Sequence, residues 1–174
     1  AVLQRVAPTE TSAHKENSMQ LKAGEHAPGF TLPDADMESV TLADYRGKRV
    51  VLFFYPKDGT PGCTVEATDF SDHEPDFSDC NCVLFGISRD DCLTHAEFRD
   101  KEGIGVALLA DTEGEVCSLY RVLQAKEVDG QTRYCVARST FIIDGEGVIR
   151  HALYNVNFKG HALDVLRLVK ELDS

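Results

Sequence analysis

Val50-Val51-Leu52-Phe53-Phe54-Tyr55-Pro56-Lys57-Asp58-Gly59-Thr60-Pro61-Gly62-Cys63-Thr64-Val65-Glu66-Ala67 reads as a buried strand, a tight turn and the first turn of a helix. Six apolar or aromatic residues in a row, closed by a Pro/Gly-rich cluster, suit a strand covered on both faces. Thr60 then falls at an N-cap and Pro61 at the first helical position, which places Cys63 in the first turn. There a sulfur meets unpaired backbone N–H groups and the positive end of the helix dipole, and both favour the thiolate. The helix is expected to run from Pro61 to about Asp72, stopped by Pro75. Cys63, Ala67 and Phe70 share its inward face.

Outward from this stretch the chain alternates strands and helices. Short strands are expected at Phe30–Leu32 and Glu38–Leu42, and buried ones at Cys82–Ser88 and Ala107–Leu109. Asp90 or Asp91 caps a helix to about Lys101, with Leu93, Ala96 and Phe98 inward, and Asp111 caps one to about Tyr120. Arg138–Ile143 and Val148–Tyr154 flank the turn Asp144-Gly145-Glu146-Gly147 as a hairpin, which removes Gly145-x-Gly147 as a dinucleotide loop. A last helix covers about Gly160 to Leu172, with Leu163, Leu166, Val169 and Leu172 on one face. The order predicts an α/β domain with a central mixed sheet, parallel at the crossovers and antiparallel at the hairpin. Residues 1–18 are polar and aperiodic and read as an N-terminal extension, leaving 19–174 as one domain. With Ala1 in first place and the first methionine at Met19, the beginning of the chain is expected to be processed or added.

A net charge of −11 among 174 residues disfavours nucleic acid and anionic membranes as partners, since both are polyanions. No apolar run approaches the roughly 18 residues of a membrane span. Six cysteines are too sparse for a disulfide-built secreted scaffold, so a cytoplasmic, reduced protein is expected. Cys80-x-Cys82 and Cys92-x-x-His95 lie too far apart to share one metal ion, and neither supplies four ligands. No metal or cofactor is expected, and His95, His151 and His161 are assigned surface or packing roles.

Pro56-x-x-x-Thr60-x-x-Cys63, extended from Tyr55 to Ala67 and joined by Gly86-Ile-Ser88 and Ala137-Arg-Ser-Thr-Phe-Ile-Ile-Asp144, resembles the peroxiredoxins, in their bacterioferritin comigratory protein or peroxiredoxin Q branch. The resemblance spans about residues 20–172. It implies a thioredoxin-like fold and thiol-dependent reduction of hydrogen peroxide and organic hydroperoxides. It also implies that Cys63 attacks the peroxide, Thr60 bonds the thiolate and the peroxide oxygen, Arg138 lies beside both, and Pro56 shields the pocket from water. The chemistry agrees with those roles. A thiolate attacks one oxygen while charge grows on the other, and a helix N-terminus, a hydroxyl and a guanidinium match that distribution. Glu66, one turn from Cys63, by itself disfavours the thiolate, so it is expected to pair with Arg138.

The product, a sulfenic acid, condenses with a second thiol. Members of the branch carry that thiol five residues after the first, where this chain has Thr68, or in the helix after the next strand, at a position aligned with Arg99. Cys80 and Cys82 start a strand roughly 20 Å from the active end of the sheet. Cys92 opens the next helix at the correct end and is the first choice, with local unwinding of one or both helices. Cys117 is assigned to the core and Cys135 remains an outsider; a one-cysteine cycle with an external thiol and an intermolecular disulfide stay open. The expected reductant is thioredoxin, glutaredoxin or a small thiol, and the resemblance implies a monomer or weak homodimer. A non-turnover redox sensor or binding protein on the same fold is the rival reading, disfavoured by the complete Pro56/Thr60/Cys63/Arg138 set.

Overall fold

The computed structural model describes residues 19–172, so the 1–18 extension lies outside the described residues. Two short strands, β1 (Thr31–Pro33) and β2 (Ser39–Thr41), pair antiparallel ahead of a single 3-10 turn at Leu42–Tyr45. The central sheet is built from β3 (Arg49–Phe54), β4 (Cys82–Ser88), β5 (Ala107–Ala110), β8 (Ser139–Ile143) and β9 (Ile149–Leu153), in the order β5-β4-β3-β8-β9. β3, β4 and β5 run parallel, linked by helical crossovers, while β8 returns antiparallel to β3 and β9 antiparallel to β8. This is the expected mixed sheet flanked by helices.

The alternation along β3 explains why six hydrophobic residues stand in a row. Val50, Leu52 and Phe54 join one core layer and Val51, Phe53 and Tyr55 the other. The second layer is covered by α1 (Pro61–Asp72), α2 (Glu74–Asp79) and α5 (His161–Lys170). There Phe53 stacks on Phe70 with ring centroids 4.4 Å apart. The ring takes the space above Gly86, where an added Cβ would lie 2.7 Å from it.

Several elements depart from expectation. α1 ends at Asp72 as expected, but a second helix follows at once, with Pro75 in the first turn of α2, where its missing N–H costs nothing. In α3 (Cys92–Glu102), Leu93 is 69% exposed, and His95 and Phe98 face inward. In α5 Leu163 is exposed, and His161, Ala162 and Val165 join Leu166 and Val169 on the buried face. Asp111 performs its expected capping by accepting the N–H groups of Val116 and Cys117 in α4 (Glu115–Leu119). An unexpected hairpin, β6 (Leu123–Val128) with β7 (Gln131–Val136), stands largely exposed before Arg138. Among the described residues no helix is long and apolar enough to cross a membrane.

Candidate active site

Two features of the fold bring Cys63 and Arg138 together. Six residues separate the end of β3 from the start of α1, so the helix N-terminus stands at the C-terminal edge of that strand. β8 pairs antiparallel with β3 and sets Ser139 opposite Phe54, which delivers Arg138 to the same edge. Cys63 is 1% exposed, and Arg138 donates from Nη2 to its Sγ at 3.4 Å and from Nη1 to Glu66 Oε1 at 2.7 Å. The expected Glu66–Arg138 pair is therefore present. Glu66 is itself buried, and that burial pushes its carboxyl up to about 7 against the pull of the guanidinium.

Thr60 stands at the N-cap with extended dihedrals, but its hydroxyl makes no capping bond and donates instead to the Lys57 carbonyl at 2.8 Å. Its proton is thus spent inside the turn, and the expected bond to the thiolate is not formed. The hydroxyl oxygen keeps lone pairs able to accept a hydrogen bond, and the first-turn N–H groups carry no bond from the Thr60 side chain. Pro56 is exposed, at the start of the turn that leads to Thr60. The apolar group over the guanidinium is Phe158, whose ring centroid lies 5.5 Å from Arg138 Cζ. A Cβ on Gly62 would come within 3.0 Å of that ring and 3.2 Å of Arg138 Nη2, so a larger residue there would press on both side chains. Phe158 escaped the sequence reading because a lone aromatic in a loop has no periodic signature.

All six cysteines are free thiols. Cys82 pairs in register with Arg49, at the opposite end of β3 from Phe54, as the parallel crossover requires. Cys117 is fully buried in the core layer on the other face of the sheet, and burial pushes its thiol up. Cys135 is half-buried in β7 opposite Gln124. Cys92 is the first residue of α3 and half-buried; its thiol is held up by burial and then by Asp34 and Asp91. Arg99 is engaged with Asp36 and Asp100. His95, assigned a bland role from the sequence, is fully buried with Nδ1 2.5 Å from Asp58 Oδ2. Its partner stands 37 residues earlier, inside the turn between Pro56 and Thr60.

The AhpC/TSA family profile matches residues 23–152. A putative peroxiredoxin of Mycobacterium tuberculosis is 45% identical over 148 residues, which cover 85% of this chain and 94% of the relative. Peroxiredoxin Q of Xanthomonas campestris superposes with a TM-score of 0.80 at 31% identity, over 88% of this chain and 97% of that one. The bacterioferritin comigratory protein of the same organism, a structure determined for insight into alkyl peroxide reduction, gives a TM-score of 0.78 at 33% identity, over 81% of this chain and 90% of that one.

Proposed function

Since the chain belongs to the AhpC/TSA family, in its bacterioferritin comigratory protein/peroxiredoxin Q branch, with a thioredoxin-like fold and thiol-dependent peroxidase activity, we propose that Cys63 is the sulfur that attacks the peroxide. The observation that carries this is the Arg138 guanidinium, 3.4 Å from a Cys63 Sγ that also sits in the first turn of α1. The Cys63 thiolate attacks the terminal oxygen of ROOH, the O–O bond breaks, and the sulfur is oxidised to a sulfenic acid. The departing RO⁻ takes a proton and leaves as the alcohol, or as water from hydrogen peroxide. Arg138 and the first-turn N–H groups stabilise the charge moving from sulfur to the leaving oxygen. Thr60, its own proton committed to Lys57, accepts the O–H of the bound peroxide and turns it for attack. Glu66 holds Arg138 in place, Phe158 keeps water from the guanidinium, and Pro56 shapes the rim.

In the second half of the cycle the Cys92 thiol condenses with the sulfenic acid, forming the disulfide and releasing water. Thioredoxin, glutaredoxin or a small thiol then restores both thiols. Support comes from the position of Cys92 at the start of α3, at the active end of the parallel β4. We place this cycle in a cytoplasmic monomer or weak homodimer that needs no metal or cofactor.

Stopped-flow peroxide consumption with wild type and Cys63→Ser tests the first half, and equal rates would refute it. Disulfide mapping by mass spectrometry after one equivalent of peroxide, with Cys92→Ser as control, tests the second. A persistent sulfenic acid without a Cys63 bridge assigns the cycle to an external thiol instead.

A further inference from the structure

We propose that Asp58 and His95 form a clasp that positions the catalytic turn, setting the balance between a closed, peroxide-reactive site and an opened one in which the Cys63 sulfur is accessible. The inference rests on the assignment of Cys63 above. Asp58 lies between Pro56 and Thr60, and its carboxylate is almost completely buried. One oxygen accepts the Tyr55 hydroxyl at 2.6 Å, and the other lies 2.5 Å from Nδ1 of His95. The Asp58 backbone N–H donates to Asp90 at 2.8 Å, and the same Asp90 oxygen takes the Ser88 hydroxyl at 2.6 Å. His95 Nε2 lies 3.0 Å from the Leu109 carbonyl. A carbonyl only accepts, so Nε2 carries a proton, and the short Nδ1–Oδ2 contact requires a second proton between the two groups.

One buried side-chain pair therefore ties the ends of β3 and β4, the catalytic turn, α3 and β5 to a single point. Asp58, Asp90 and His95 also bring their ligand atoms within 4.8 Å of one another, as a metal site would. Asp58 Oδ2 and His95 Nδ1 already face each other across a hydrogen bond, and Asp90 Oδ2 already accepts from the Asp58 N–H and the Ser88 hydroxyl. None of the cluster's bonds reaches Cys63 or Arg138. Within the turn itself Gly59 is left-handed at φ +81° and the Thr60 hydroxyl donates to the Lys57 carbonyl.

The consequence follows from burial. Cys63 is 1% exposed, so its sulfenic acid reaches any second thiol only when the first turn of α1 moves. The clasp opposes that movement from the helix that carries Cys92 three residues before His95. Weakening it disorders the pocket that peroxide needs while making the oxidised sulfur easier to reach.

The test uses the full chain carrying Cys92→Ser, so that dimedone competes with no Cys92 thiol, alone and combined with Cys63→Ser, Asp58→Ala, Asp58→Asn or His95→Phe. Peroxide reactivity is read by competition against a reporter peroxidase, and opening by the rate at which dimedone captures the sulfenic acid. Asp58→Ala and His95→Phe are expected to slow the peroxide step about tenfold or more and to speed dimedone capture. Asp58→Asn is expected to recover most of the alanine loss, because its amide accepts from Tyr55 and donates to Nδ1 of an imidazole protonated at Nε2. Equal slowing of both steps, no change in either, or an asparagine variant as impaired as alanine would overturn the clasp. So would an alanine variant that fails to fold beside a folded asparagine one, since the pair would then serve stability alone. Undiminished activity of Cys63→Ser would instead remove the assignment of Cys63 itself.

Discussion

Glu66 receives Arg138 at 2.7 Å while only 1% exposed, and its second oxygen is buried with no hydrogen-bond partner among the described residues. One guanidinium bond offsets only part of the cost of burying a carboxylate, which is why the group is held near 7 and not near its ordinary 4.5. Between those two values the folded chain keeps a proton that the unfolded chain has released, so stability falls as pH rises through the window. Glutamine does not titrate. The stability of wild type minus that of Glu66→Gln, measured by urea unfolding, is expected to decline from pH 4.5 to 7 and to be level on either side. A difference independent of pH across that window would contradict the burial argument.

Arg138 has two duties that substitution separates. Lysine keeps the charge but loses the fork that reaches Sγ and Oε1 together, so Arg138→Lys is expected to cost about 10²–10³-fold in the peroxide step. Alanine also leaves the buried Glu66 carboxyl without its one hydrogen-bond partner, with a stability loss of about 1–3 kcal/mol. Adding Glu66→Gln to the alanine variant should restore much of the stability and none of the rate. Denaturant midpoints and single-turnover kinetics on the same samples distinguish the two effects.

Thr60 should tolerate serine and reject valine. Serine retains the hydroxyl that donates to Lys57 and accepts from peroxide, whereas valine keeps the shape and removes both bonds. Valine is expected to lower the second-order rate with hydrogen peroxide by about tenfold or more. Equal activity of the two variants would remove Thr60 from the reaction.

Resolution by Cys92 carries a pH signature. Burial, followed by the neighbouring Asp34 and Asp91, holds this thiol above its ordinary range, so the thiolate is a small fraction near neutrality. The rate of disulfide formation is expected to climb about tenfold per pH unit from about pH 6 to 8, following the thiolate. Quenched-flow alkylation with mass analysis measures it. A flat profile would point to an external thiol or a different cysteine.

The strand-turn-helix around Cys63 was legible in the sequence because it is local. A continuous apolar run, a Thr-Pro helix start and one inward face determine it within a few turns. The Glu66–Arg138 pair was legible for a different reason: a lone carboxylate beside a required thiolate demands a cation, and the family resemblance implied Arg138 beside that sulfur. What escaped was long-range or ambiguous. Asp58 and His95 meet only through the packing of α3 on the sheet, so neither residue marks the other in the sequence. Leu93 and Leu163 fit the apolar stripes of their helices, yet histidines with buried hydrogen-bond partners took the inward positions. The β6–β7 hairpin has mostly exposed strands and sets Lys126 opposite Arg133, so neither alternation nor cross-strand pairing announced it.

The separation of Cys63 and Cys117 onto opposite faces of the sheet also gives the chain two internal stopwatches. An alkylating reagent reaches Cys63 each time the first turn of α1 frays, a local event. It reaches Cys117 only when the layer beyond β3 comes apart, which is close to global unfolding. Site-resolved labelling of one native sample therefore times both motions together. Their ratio reports how much of the opening at the active site is independent of the stability of the fold.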